Sequence, residues 1–248
     1  NKPGKASTGY MTSLPSLKAP FVFSCFNHTI FDMQVLTHEL GHAFAGYMAM
    51  RSQPISDYYS ESTDIAEIHS MSMEQFAYPY AEWFFGDQAD KFRFAHLQEA
   101  LTFVPFGVAV DEFQHICYAH PELTPKERTY QWHLLEERYM PWRRYDNDAF
   151  MERGGYWYHK LHIYLYPFYY INYTLTTMGA MEFKKKYAEN KEAAWQDYLN
   201  LCKVGGSQSY LETLRYANLA NPFEAGSVER ACGYAKDILL EQIAAQEK

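Results

Sequence analysis

The chain has 248 residues, 48% of them hydrophobic and 21% charged, with a net charge of -8. That length supports a sizeable core, and the composition is globular rather than disordered. The acidic balance argues against a broad basic face, so nucleic acid is not an expected partner.

Four cysteines, Cys25, Cys117, Cys202 and Cys232, form no C-x-x-C pair. They favour free, buried thiols in a reducing compartment over a disulfide framework. The nearest approach to a membrane span, Leu101 to Val110, contains Pro105 and falls short of the roughly 20 residues needed. No signal peptide is legible at an N-terminus that starts at Asn1. The expectation is a cytoplasmic protein with no membrane partner.

The first predicted element is a strand through APFVFSCFN, with Phe21, Phe23 and Cys25 on one face, which Tyr10 to Leu14 could pair. Asp32 is placed to cap a helix running to about Met50. Its predicted apolar stripe is Met33, Leu36, Leu40, Ala43, Phe44 and Tyr47. Ser60 or Ser62 can cap a second helix through about Phe85. A third runs from Asp87 towards Tyr118, with a break or kink expected near Pro105. Thr124-Pro125 opens a fourth, since proline suits the first helical position, and Pro167 could open a fifth in the same way. The last helix spans about Ser227 to Gln246. The predicted fold class is therefore mostly α, with a small β-sheet near the N-terminus.

One of these helices carries His38-Glu39-Leu40-Gly41-His42, an H-E-x-x-H pattern. Residues i and i+4 sit one above the other on a helix, so two imidazoles can reach one ion without bending the backbone. Glu39 is offset in angle and suits a general base acting on water acidified by zinc. Gly41 costs helix stability, roughly 1 kcal/mol relative to alanine, which predicts a close neighbour against this face. With ten histidines in the chain, about 0.03 chance occurrences of such a pattern are expected, so coincidence is a poor explanation. A catalytic zinc needs a third protein ligand. The following helix offers Glu61, Asp64, Glu67 and Glu74, and spacing does not choose among them. One could bind the metal while a neighbour orients an imidazole.

HELGHAF and DIAEIHSMSMEQF, with APFVFSCFN before them, resemble the oligoendopeptidase F branch of the zinc oligopeptidases related to thimet oligopeptidase. The likeness continues through DEFQHICYAHPELTPKERTYQW, PFYYINY and GGSQSYLETLRYANL to NPFE. It implies a single zincin-type catalytic domain over residues 1–248, the C-terminal half of a longer family architecture, with the sheet edging a substrate channel. It also implies one zinc ion per chain, held by His38, His42 and Glu67, and hydrolysis of internal bonds in short peptides. The strand in APFVFSCFN would lie along the substrate. Family members are about twice as long, so an N-terminal half or a partner chain could be needed to complete the channel. The rival expectation is a zinc-binding half that is inactive without it.

The segment YHKLHIYLYPFYYINY, Tyr158 to Tyr173, gathers phenols. Peptide hydrolysis builds charge on the carbonyl oxygen, and a neutral phenol is a suitable donor to it. If Pro167 starts a helix, Tyr169 and Tyr173 share a face, Tyr166 lies just before it and His162 sits in the preceding loop. The resemblance places the family's histidine and spaced tyrosines on His162, Tyr169 and Tyr173; His162 and Tyr169 are the expected catalytic pair, and Tyr173 with Tyr166 the expected substrate contacts. Tyr156, Tyr158, Tyr164 and Tyr170 are expected to be packing residues. Gly205 and Gly206 form either a substrate-covering loop, by resemblance, or a plain helix-to-helix turn. His69, His96, His115, His120 and His133 show no partner pattern, although His69 is close enough in sequence to Glu67 to line the site.

Overall fold

A computed structural model describes residues 4–6 and 8–246; the start at Asn1 and the end at Lys248 lie outside the described residues. Its strands are β1 (Tyr10–Leu14) and β2 (Ala19–Phe23). Its helices are α1 (Ile30–Ser52), α2 (Thr63–Phe76), α3 (Ala81–Phe85), α4 (Ala89–Ala119), α5 (Pro125–Tyr139), α6 (Ala149–Glu152), α7 (Leu161–Leu165), α8 (Ile171–Glu189), α9 (Lys191–Val204), α10 (Tyr210–Tyr216) and α11 (Ser227–Gln246). The mostly α class with a small antiparallel sheet is what the structure shows. The chain forms two compact units, Asn1–Gln98 with Leu175–Lys248, and Glu99–Thr174.

In the first unit, β1 and β2 form a hairpin in the register Tyr10↔Phe23 to Leu14↔Ala19. Lys18 turns the chain with a positive φ of 48°. Helix α1 packs on this hairpin, on α2 and on α9. Its buried residues are Glu39, Gly41, Ala43, Ala45, Gly46, Ala49 and Met50, while Leu40 and Tyr47 of the predicted stripe are exposed. Small residues win that face because α1 has close neighbours on several sides, and bulk would hold them off. Asp32 does not cap α1 either: Thr29 occupies the N-cap position. The Asp32 carboxylate accepts from the backbone N–H groups of Asn27 and His28, tying down the preceding turn.

Ser62 precedes α2, which ends at Phe76 rather than Phe85, because Pro79 diverts the chain into a tight turn at Tyr78–Tyr80. Below α2 lies a core of Ile65, Ile68, Phe76, Phe183, Tyr198 and Leu201. Phe76 meets Tyr198 edge-on at 5.1 Å, a geometry contributing about 0.5–1.5 kcal/mol beyond burial alone.

The second unit packs Phe106, Phe113, Trp132, Leu135, Trp157 and Tyr170 into its own core. Helix α4 is unbroken at Pro105. Thr124 caps α5 with a capping box to Glu127, and Pro125 takes the first helical position as expected. Tyr170 is core, but Tyr158 and Tyr164 are exposed and stack on the buried Trp157. Among the described residues no cysteine forms a disulfide, and Cys202 and Cys232 are buried. No described helix is long and apolar enough to cross a membrane.

Candidate metal centre

The helical repeat of α1 sets the His38 and His42 rings edge-on, with centroids 4.9 Å apart. The third donor depends on how closely α2 approaches. A Cβ on Gly41 would stand 2.6 Å from Ser70 Cα and 2.7 Å from the His69 carbonyl oxygen. Glycine therefore lets the two helices touch backbone to backbone, which is the close neighbour its place in the motif predicts. At that spacing Glu67 Oε2 lies 3.1 Å from His38 Nε2 and 3.5 Å from His42 Nε2. Among the described residues, His38, His42 and Glu67 are the group of side chains able to hold a metal ion together.

Tetrahedral zinc with bonds near 2.1 Å separates its donors by about 3.4 Å. The observed separations and the two-imidazole, one-carboxylate set both fit that ion. Ser70 Oγ donates to Glu67 Oε2 at 3.0 Å, fixing the carboxylate's free rotation. Burial pushes the Glu67 carboxyl up, but hydrogen bonds from His38 and His42 outweigh it and hold Glu67 far below the usual carboxylate range.

Of the other carboxylates that spacing left open, Glu74 sits about two helical turns further along α2 than Glu67. Its Oε1 is 2.7 Å from His38 Nδ1, and its Oε2 is 2.6 Å from His96 Nε2. Histidines that bind metals commonly carry such a carboxylate on the other ring nitrogen. Burial raises the Glu74 carboxyl, and the two imidazoles more than reverse that shift. Asp64 bonds instead to Ser62 at the helix start. Glu61 lies 3.0 Å from the buried His69 Nδ1, so His69 packs beneath α2 against Tyr198 rather than joining the donor cluster. His96 is the residue that sequence reasoning missed. Its partner, Glu74, lies 22 positions away on another helix, and no spacing rule links the two.

Glu39, next to His38, is buried. A Cβ on Gly9 would come within 3.3 Å of Glu39 Cγ and 3.4 Å of the Phe23 carbonyl oxygen. The carboxylate stem therefore runs beside the end of β2.

Without metal, His38 faces Glu67 and Glu74 together. Burial would lower its pKa, but the two carboxylates lift it to about 10. A raised pKa contributes stability that is complete below the unfolded value of 6.5 and is lost as pH rises towards about 10. The thermal midpoint of chelator-treated chain should fall across that window, and His38→Gln should show a smaller fall. Zinc competes with the same proton, so zinc affinity should rise over the same interval. An apo midpoint with the same pH dependence in both proteins would refute the coupling.

In the second unit, His162 is in the short helix α7 rather than a loop. Helix α8 starts at Ile171 rather than at Pro167. Phe168 interrupts the approach with φ of 60°, and its N–H donates to Gln114 Oε1 at 2.8 Å. Tyr169 thus precedes the helix and does not share regular helical spacing with Tyr173. The rings still gather: His162 stacks parallel to Tyr169 at 6.1 Å, meets Tyr173 edge-on at 6.0 Å, and Tyr166 lies 6.1 Å from Tyr169. Burial, then the nearby Lys160 charge, lowers the His162 pKa and favours its neutral form. Back in the first unit, Gly205 ends α9 with φ of 51°, and a Cβ there would stand 2.0 Å from the Tyr58 carbonyl oxygen. Gly206 N–H donates to that same oxygen. The paired glycines are a tightly packed turn.

The sequence profile of peptidase family M3 matches residues 1–233. The chain is 26% identical over 221 residues to the oligoendopeptidase F homolog of Borreliella burgdorferi, covering 85% of this chain and 36% of that protein. It is 22% identical to oligopeptidase PepF of Bacillus subtilis, covering 90% and 33%. The chain thus spans about a third of the curated relatives it matches. Among solved structures, Pz peptidase A with an inhibitor superposes with a TM-score of 0.87 at 48% identity, covering 97% of this chain and 42% of that one. A Bacillus anthracis protein assigned as oligoendopeptidase F gives 0.80 at 42% identity, covering 97% and 40%.

Proposed function

The chain belongs to peptidase family M3, and from that premise we propose that it is the catalytic part of a zinc endopeptidase acting on short, unfolded peptides. The observation that carries this is one helix turn: His38 and His42 flank Glu39 in the sequence of α1, and their imidazoles converge with Glu67 on a site of zinc dimensions. Zinc held by His38, His42 and Glu67 supplies Lewis acidity, lowering the pKa of water towards about 7 and polarising a peptide carbonyl. Glu39 takes the proton of the attacking water and later delivers it to the leaving amine. The two-stranded sheet leaves β2 one unpaired edge among the described residues. An extended peptide can add to that edge through backbone hydrogen bonds.

Tyr169 and His162 are assigned the stabilisation of the tetrahedral oxyanion, with Tyr173 and Tyr166 contacting substrate. These roles rest on the resemblance and on the chemistry of a phenol as a neutral donor. Tyr169→Phe should lower kcat by about 10²- to 10³-fold, as for other oxyanion donors, with little change in KM. A change confined to KM would assign Tyr169 to substrate binding instead.

The test of the whole proposal is cleavage of a quenched-fluorescence peptide library by purified chain. Activity should be abolished by chelator and restored by one equivalent of zinc. A second possibility is favoured by one fact, that the chain spans 36% of its curated relative. On that alternative the chain binds zinc but cleaves only after the remaining portion of the longer architecture is added. Cleavage by the isolated chain would exclude the alternative, and chelator-insensitive cleavage would exclude the metal mechanism.

A further inference from the structure

A hydrogen-bonded chain leaves the metal centre through Glu74 and continues inward. His96 Nε2 lies 2.6 Å from Glu74 Oε2, and Tyr78 Oη lies 2.6 Å from His96 Nδ1. Tyr78, His96 and Glu74 are all buried, at 8%, 8% and 7% exposure. No ordinary solvent hydrogen bond can substitute for one lost there, so each partner matters.

The direction of the protons follows from the groups. Glu74 as a carboxylate only accepts, and it accepts from both imidazoles. His96 must then carry its hydrogen on Nε2, which leaves Nδ1 as an acceptor. The phenol of Tyr78 only needs to donate to Nδ1 to hold that tautomer. With Glu74 held in this way, His38 keeps its hydrogen on Nδ1 and presents the Nε2 lone pair to the side where Glu67 and His42 converge. Every link points the same way.

Tyr78 is itself anchored. Arg93 donates to the Tyr78 carbonyl from Nη2 at 2.8 Å and from Nε at 3.2 Å. Glu82 and Asp90 hold the Arg93 guanidinium in turn. The Lys184 ammonium sits over the Tyr78 ring, 3.5 Å from its centroid, and the Phe92 ring stacks on His96 at 5.5 Å. The Tyr78 backbone is therefore tied by Arg93 and its ring covered by Lys184, while its hydroxyl meets His96.

We propose that Tyr78 and His96 are positioning residues for the metal ligand His38, the Tyr78 hydroxyl setting the His96 tautomer that locks Glu74 onto the His38 ring. The inference rests on the zinc reading above and extends it two residues further into the protein. Neither residue touches the ion or the substrate.

The test is zinc affinity of the whole 248-residue chain, measured by competition with a chromophoric chelator, together with the visible spectrum of the cobalt(II)-loaded form. Tyr78→Phe keeps the ring and removes only the hydroxyl. It should weaken zinc binding on the order of ten-fold, the lower end for outer partners of metal ligands, and shift the cobalt bands. His96→Leu should do at least as much. His96→Gln keeps an N–H aimed at Glu74 and should bind zinc within about three-fold of the parent, since an amide has no tautomer to set. For the same reason, adding Tyr78→Phe to His96→Gln should cost nothing further. A purely structural role for Tyr78 would lower the thermal midpoint of the metal-free chain equally in both backgrounds without moving the cobalt spectrum. Unchanged zinc affinity in Tyr78→Phe overturns the proposal, as does an equal loss in both backgrounds. If the parent binds zinc without cleaving peptides, the catalytic reading fails while this one stands. If the parent binds no zinc, both fail.

Discussion

Glu39→Gln should leave zinc affinity unchanged and remove nearly all peptide cleavage. The substitution is close to isosteric and leaves the three donor side chains untouched, since Glu39 is not among them. What it removes is the one carboxylate adjacent to the donors on α1 that can accept a proton from water. General base catalysis contributes about 10²- to 10⁴-fold, so the barrier should rise by roughly 3 to 5 kcal/mol. The buried setting of Glu39 makes a neutral amide tolerable there, because it needs no more desolvation than the acid did. Zinc content per chain and kcat/KM on one quenched peptide decide the matter. Retention of half the parental turnover would remove Glu39 from the mechanism. Loss of zinc together with turnover would mean that it shapes the donor cluster instead.

The parts of the site that lie along one helix were legible in the sequence, because helical spacing is a local rule. His38, Glu39 and His42 needed only that rule, and Gly41 announced a close neighbour by its cost. The third candidate donor needed more than spacing. The α2 segment offered four carboxylates, and only the approach of α2 to α1 brings Glu67 to 3.1 Å of His38 and Glu74 to its opposite face. Tertiary distance of this kind leaves no periodic mark. His96 and Tyr78 were illegible for the same reason. The helix predicted from Pro167 failed differently. Phe168 takes a positive φ that its side chain does not foretell, held by Gln114 from 54 positions away. The apolar stripe predicted for α1 held at Ala43, which is buried, and Phe44, which packs on the core, but not at the exposed Leu40 and Tyr47, because hydrophobicity ranks residues by size, whereas a helix with several close neighbours selects small ones. Alanine and glycine carry little hydrophobic signal, and they line the buried face of α1.

That contrast makes Gly41→Ala the most informative change in the scaffold, because two general effects predict opposite signs. Helix propensity alone favours alanine by about 1 kcal/mol. Packing opposes it: the new Cβ would lie 2.6 Å from Ser70 Cα and 2.7 Å from the His69 carbonyl oxygen. Both neighbours are backbone, so no rotamer change relieves the overlap, and α1 and α2 must part. Overpacking of a close-packed interior costs about 1–3 kcal/mol, and a backbone clash belongs at the upper end. Net destabilisation of roughly 1–2 kcal/mol is expected after propensity is credited. The larger effect should fall on zinc. Glu67 rides on α2 while His38 and His42 ride on α1, so any widening separates the carboxylate from both imidazoles, and zinc affinity should fall by at least ten-fold. Gly46→Ala is the matched control on the same helix. Its nearest atoms are Ser13 Oγ at 3.3 Å and Met11 Cε at 3.5 Å, both ends of side chains that can rotate away. It should bind zinc normally and melt no lower than the parent. Denaturant unfolding of the metal-free chains and chelator competition for the loaded ones separate the two effects. If Gly41→Ala proves as stable and as tight as Gly46→Ala, backbone contact between α1 and α2 is not what brings Glu67 to the histidines.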